Sequence, residues 1–197
     1  MTTLALDAAI GGFTIAIIED GNILVSACES QTKMQSALLL HKIDELLTVA
    51  KKNLDDITAV LYGNGPGSFT SLRIGLATLM GLFFTPLPSK VDQGKRALVF
   101  SSCSSLLLRA LSMSATQSEI ACYLPAGRDR VYYGELKSGH FREEVLSLSE
   151  ATGRKALPAQ ELVDPKVFLK ILKTPVFYQT QPLAQVKLNY LLAPDIG

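Results

Sequence analysis

Two features of this sequence have residue types and spacing that could do chemistry. One is an aspartate at the end of a short apolar run, Leu4-Ala5-Leu6-Asp7. The other is the stretch Gly63-Asn64-Gly65-Pro66-Gly67-Ser68-Phe69-Thr70-Ser71-Leu72-Arg73-Ile74-Gly75. Three glycines and a proline make a rigid loop, Ser68 or Thr70 can cap a following helix, and the first amides of that helix suit an anion. Asp7, Gly65, Gly67 and Ser68 are therefore candidates for the phosphate side of a nucleotide site. The same residues serve equally well as a tight strand-to-helix turn, with Asp7 as a turn residue. No lysine follows the glycines as in a Walker loop, which excludes nucleotide hydrolysis of that type.

Other chemistries find less support. His41 and His140 are far apart and form no His-x-x-x-His pair, so no histidine-based metal site is expected. Cys28, Cys103 and Cys122 are odd in number, distant and free of Cys-x-x-Cys spacing. They read as buried thiols in a reducing cytoplasm rather than a disulfide framework or a zinc site. Ser68 follows Gly67, but Thr70 breaks the Gly-x-Ser-x-Gly pattern, so a peptidase reading would need cleavage abolished by Ser68→Ala.

Periodicity supplies the elements that must position these residues. Leu4–Leu6 and Phe13–Ile18 read as paired strands across the turn at Gly11-Gly12, and Ile23, Val25 and Ala27 alternate as a third strand. Lys33 to Lys52 carries Leu39, Ile43, Leu46, Leu47 and Ala50 at helical spacing. Ile57–Tyr62 reads as a strand, the glycine loop follows, and Phe69–Phe84 reads as a second helix. The order βββαβα, with an aspartate at the first strand tip and a glycine loop feeding a helix, predicts an α/β fold. The layout is that of actin, sugar kinases and ribonuclease H, with two lobes.

The cluster Pro86-Leu87-Pro88-Ser89 to Lys95 reads as a hinge, giving a first ribonuclease H-like lobe over 1–95 and a smaller second lobe over 96–197. In that second lobe the pattern predicts a helix over Ser102–Ser112 and strands at Ile120–Leu124, Val131–Lys137, Glu144–Leu148 and Val176–Tyr178. Pro182–Leu192 reads as a closing helix or mixed segment packing back on the first lobe.

Bulk properties bound the function. The chain is 197 residues long and 48% hydrophobic, enough for a sizeable core. A net charge of +1 supplies no strong field for a nucleic-acid backbone. The first residues have no basic segment leading into an apolar run, and the longest uncharged apolar stretch, Ile74–Phe84, is half of what a bilayer needs. A cytoplasmic protein without membrane contact is expected.

The run Gly63-x-Gly65-Pro66-Gly67-Ser68-Phe69-Thr70-x-x-Arg73-Ile74-Gly75 resembles the signature of the TsaB (YeaZ) family. The opening Leu-Ala-Leu-Asp strand, the Leu39–Leu47 helix, Ser101-Ser102 and Val131-Tyr132-Tyr133 agree with it. The likeness is strong to about Phe84, patchy to Gly134 and faint beyond. It implies an actin-like fold that has lost catalysis and pairs with a related catalytic subunit, TsaD, which a small ATPase, TsaE, joins. The TsaD-type subunit would hold the metal and transfer threonylcarbamoyl to the adenosine beside the anticodon of tRNA. This chain would touch tRNA only through the complex and form homodimers when its partner is missing. No cofactor is then required, and weak ATP or ADP binding is the most that Asp7 and the loop would support.

Two departures from the family pattern matter. Lys33-Met34-Gln35-Ser36 stands where an Arg-x-His-Thr/Ser stretch is usual. Pro125-Ala126-Gly127 stands where Asp-Ala-Arg is common, which removes an acidic partner for Asp7 across the cleft. The alternative reading is an actin-fold ATPase or sugar kinase using Asp7 and the glycine loop, which metal-dependent ATP turnover would favour.

The second helix is apolar almost all round. Leu72, Leu76, Leu79 and Phe83 form one stripe, with Phe69, Met80 and Phe84 around it, where a helix with one buried side would carry charges opposite. Gly75 and Gly81 suit close approach of another helix. Leu38, Leu39 and Leu40 in succession cannot all face one sheet. The predicted partner interface is Leu38, Leu39, Phe69, Leu72, Arg73, Leu76, Met80 and Phe83, burying on the order of 1,600 Å2 if it is of ordinary size.

Overall fold

The computed structural model describes residues 1–30, 35–83, 98–113, 119–159, 162–182 and 185–189. The chain opens with three strands, β1 (Thr2–Asp7), β2 (Phe13–Glu19) and β3 (Asn22–Glu29), then α1 (Gln35–Val49), β4 (Ala59–Gly63) and α2 (Phe69–Phe83). This is the predicted βββαβα order. The continuation is β5 (Val99–Cys103), α3 (Ser105–Met113), β6 (Glu119–Pro125), β7 (Arg130–Lys137), β8 (His140–Ser147) and α4 (Leu148–Gly153). The short β9 (Leu157–Pro158), α5 (Lys166–Leu172) and β10 (Gln179–Thr180) complete it.

Six strands form one sheet in the order β10-β5-β4-β1-β2-β3, and four form another in the order β8-β7-β6-β9. In the first sheet β4 lies parallel between β1 and β5, while β2, β3 and β10 run antiparallel to their neighbours. Side chains alternate across a strand. Leu4, Leu6, Phe13, Ile15, Ile17, Val60 and Tyr62 accordingly face one core with α1 and α2. Ala5, Ala16, Ile18 and Leu61 face another with α3 and α5. Burial on both faces is why β1 and β2 read as continuous apolar runs. Helix α3 is shared: Leu107, Leu108 and Leu111 face the first sheet, while Leu106 and Ala110 meet Cys122 and Leu124 of β6.

Several expectations change. The helix predicted from Ser102 starts at Ser105, because Ser102 and Cys103 continue a buried strand paired with Tyr62 and Gly63. Residues 96–197 therefore supply β5 and β10 to the first sheet, and the division at 95/96 does not separate the two sheets. Val176–Tyr178 is not a strand: a 3-10 turn occupies Pro175–Phe177, and the strand comes after it. The hinge at 86–95, the ends of the first two helices at Lys33 and Phe84, and the tail beyond Asn189 lie outside the described residues. Val186 and Leu188 pack against the core under α1 and α2.

Candidate functional site

Register brings the ends of three parallel strands together: Asp7 stands beside Gly63, and Gly63 beside Cys103. Glycine is required in the middle position. A Cβ on Gly63 would lie 2.2 Å from Asp7 Oδ1 and 2.9 Å from Ser105 Oγ. The aspartate predicted as a phosphate-side group is 2% exposed, and its Oδ2 is 2.9 Å from Nη1 of Arg109, which is 0% exposed. Nη1 also donates to the carbonyl of Ser105 at 2.9 Å. Sequence reading missed Arg109. A lone arginine amid the leucines of a nine-residue helix, Ser-Leu-Leu-Leu-Arg-Ala-Leu-Ser-Met, is the signal that was available. Such a charge stays buried only if it is paired.

The glycine loop is likewise committed inward. The Asn64 amide donates to Cys103 O, the Gly65 amide to Ser105 Oγ, and the Ser105 amide back to Gly65 O. The Ser68 amide donates to Ala9 O at 2.7 Å, and Ser68 Oγ accepts from the Ser71 amide as the predicted cap of α2. The peptide Gly65-Pro66 is cis, and Gly65 has φ +115. A Cβ on Gly67 would lie 2.5 Å from Ala9 O. Gly67→Ala should therefore force backbone apart and cost roughly 1–3 kcal/mol, read as a lowered urea midpoint.

Between the loop and the second sheet runs a cleft of about 670 Å3. Gly67 and Ser68 form one wall, and Tyr123, Tyr132, Pro125 and Ala126 face them. No charged side chain lines it among the described residues. Arg109 holds Asp7 Oδ2, the other oxygen is sealed from solvent without a hydrogen-bond partner among the described residues, and the Gly65 and Ser68 amides are spent on the chain itself, so these residues do not fit a metal–nucleotide complex.

Burial outweighs the pull of Arg109 on Cys122, so neither buried thiol is activated. Burial, with Asp7 adding to it, pushes Cys103 far up, and burial pushes Cys122 up to about 12. Cys28, expected to be buried, is instead exposed on β3.

Of the predicted interface residues, Leu39 and Leu72 are 0% exposed and belong to the core, because β1, β2 and β4 leave α1 and α2 a wide face to cover. Phe69, Leu76, Met80 and Phe83 of α2 and Leu38 of α1 are half-buried, and Arg73 is exposed, stacked 3.9 Å over the Phe69 ring. Gly75 admits Tyr62 rather than another helix: its Cβ would sit 3.1 Å from the Tyr62 hydroxyl, which donates to Leu72 O. Gly81 faces open space. Leu40, the third of the leucines, is 50% exposed. It lines a groove of about 630 Å3 with Ala37, His41, Asp44 and Leu82.

No helix among the described residues is long and apolar enough to cross a membrane. The family model described as TsaD, tRNA N6-adenosine threonylcarbamoyltransferase, matches residues 26–171. Among curated relatives, the tRNA threonylcarbamoyladenosine biosynthesis protein TsaB of Escherichia coli K12 is 35% identical over 42% of this chain and 35% of its own length. That of Haemophilus influenzae is 26% identical over 75% of this chain and 57% of its own. The chain thus spans between about a third and three-fifths of the TsaB proteins it matches. The solved structure of YeaZ from Pseudomonas aeruginosa matches at TM-score 0.60 and 28% identity, covering 74% of this chain and 67% of that one. An uncharacterized protein with similarity to peptidase YEAZ from Pseudomonas aeruginosa shares the fold at TM-score 0.75 and 22% identity, over 97% and 99% of the two chains. The resemblance read from Gly63–Gly75 is thereby borne out: the chain belongs to the TsaD-type threonylcarbamoyltransferase family, among its TsaB (YeaZ) members.

Proposed function

We propose that the chain serves tRNA threonylcarbamoyladenosine biosynthesis in the cytoplasm as a non-catalytic subunit that docks on and activates a TsaD-type partner. The observation that carries this reading is the buried Asp7–Arg109 pair. The carboxylate that an actin-like fold would use toward a cation and nucleotide is here neutralised inside the chain by Arg109, and the cleft beside Ser68 has no charged wall among the described residues. What the chain offers outward is the exposed or half-buried part of α1 and α2: Leu38, Leu40, Arg73, Leu76, Met80 and Phe83. A TsaE-type ATPase would join through the pair, and the same helices would hold two copies together when the partner is absent. The net charge of +1 leaves tRNA binding to the complex.

The test is to express the chain in Escherichia coli cells depleted of their own TsaB and to measure threonylcarbamoyladenosine in digested tRNA by mass spectrometry. The expected result is restored modification, unaffected by Ser68→Ala. Restoration that fails despite soluble protein and its species-matched TsaD-type subunit would overturn the reading.

Glu143 of β8 ties the second sheet to the first. Its carboxylate accepts from Ser104 Oγ at 2.6 Å and from the Asn189 side-chain amide. Burial holds its carboxyl above the ordinary value, more than these two hydrogen bonds lower it. A carboxyl whose folded pKa is raised favours folding when protonated, and that benefit is lost as pH rises from the ordinary value of 4.5 through the folded one. Glu143→Gln should therefore gain stability relative to wild type at pH 7 and lose that advantage below about pH 4, as paired urea titrations would show.

A further inference from the structure

Open α/β sheets bind ligands beyond the carboxyl ends of their parallel strands. Here the ends of β4 and β5 open onto a recess of about 320 Å3 that the glycine loop touches through Asn64, at its start. Its size is at the lower end of the range for small-molecule sites, roughly 300–1,000 Å3. Asn64 follows β4, Ser102 and Ser104 come from the end of β5, Glu143 from β8, Gln179 from β10, and Asn189 from the last described segment. Phe177 and Tyr178 form an apolar side. Asn64, Gln179 and Asn189 also line an adjoining space of about 730 Å3, where Gln181, Gln185 and Lys187 join them.

The chemistry of this lining is specific. Among the described residues no cation lines the inner recess and Glu143 places a carboxyl there, so phosphates and carboxylates are disfavoured. Side-chain amides and hydroxyls both donate and accept, as each hydroxyl of a polyol does. Glu143 is already oriented by Ser104 and Asn189, and a carboxylate has about four acceptor positions, so two remain for ligand hydroxyls. Gln179 is exposed, and its carboxamide has no hydrogen-bond partner among the described residues. We propose that this recess binds an uncharged, hydroxyl-rich small molecule, a sugar ring either free or as the ribose of a nucleoside. It is separate from the Ser68 cleft and from the helix face proposed for the partner, so it stands or falls independently of them.

Saturation-transfer NMR on the full chain, with glucose, ribose, adenosine and AMP as millimolar probes, tests it. At least one uncharged probe should bind, AMP no more tightly than adenosine. Glu143→Leu should weaken binding at least about tenfold and Gln179→Leu severalfold. Gln179 is exposed, so its variant keeps the fold and decides the matter if Glu143→Leu does not fold. Adenosine binding without the free sugars would name a nucleoside, and glucose or ribose binding without adenosine would name a free sugar. Either supports the site. No binding of any uncharged probe, tighter binding of AMP, or a Gln179→Leu variant that binds like wild type would overturn it.

Discussion

Arg109→Leu should destabilise the chain by about 3–5 kcal/mol, because it leaves the Asp7 carboxylate buried with no compensating charge. Asp7→Leu should cost a similar amount for the mirror reason. The double replacement should recover most of the loss, since removing both members of a buried pair is often neutral. Urea unfolding of the four proteins closes the cycle. The geometry makes the expectation firm: both side chains are almost fully buried, 2.9 Å apart, with Gly63 stripped of a side chain to make room. If Arg109→Leu lost no stability, the pair could not be the internal counter-ion that removes Asp7 from cleft chemistry.

The second large effect concerns association. Leu40→Glu should weaken binding to the TsaD-type subunit by at least about thirtyfold, the equivalent of a hot spot worth 2 kcal/mol. Its thermal midpoint should stay near wild type because Leu40 is half in solvent. Leu76 is a poorer probe. It packs against the core under α1 and α2, so Leu76→Glu would confuse lost docking with lost folding.

How far the sequence could be read follows from what each residue does. Runs buried on both faces, such as Leu4-Ala5-Leu6 and Phe13–Ile18, announced β1 and β2, and the shift to helical spacing at Leu39–Ala50 announced α1. The Ser68 cap and the glycine loop were legible because glycine, proline and serine constrain backbone locally. What failed was long-range. Ser101-Ser102-Cys103 is polar and small, and only its pairing with Leu61, Tyr62 and Gly63 makes it a strand rather than the start of α3. Asp7 was rightly placed at the tip of β1, but its partner comes from a helix about a hundred residues later, and no local pattern links them. The excess of apolar residues on α1 and α2 was real. Its division between core and surface depended on which side the sheet took, so Leu39 and Leu72 went inward while Leu40 stayed out.

Size-exclusion chromatography with light scattering decides whether this chain works by docking on a TsaD-type subunit through α1 and α2. The chain is run alone and with its cognate TsaD-type subunit, as wild type and as Leu40→Glu. Docking through α1 and α2 should give a one-to-one complex with wild type that Leu40→Glu loses while its circular dichroism is unchanged. No complex with wild type, or an undiminished complex with folded Leu40→Glu, would contradict it.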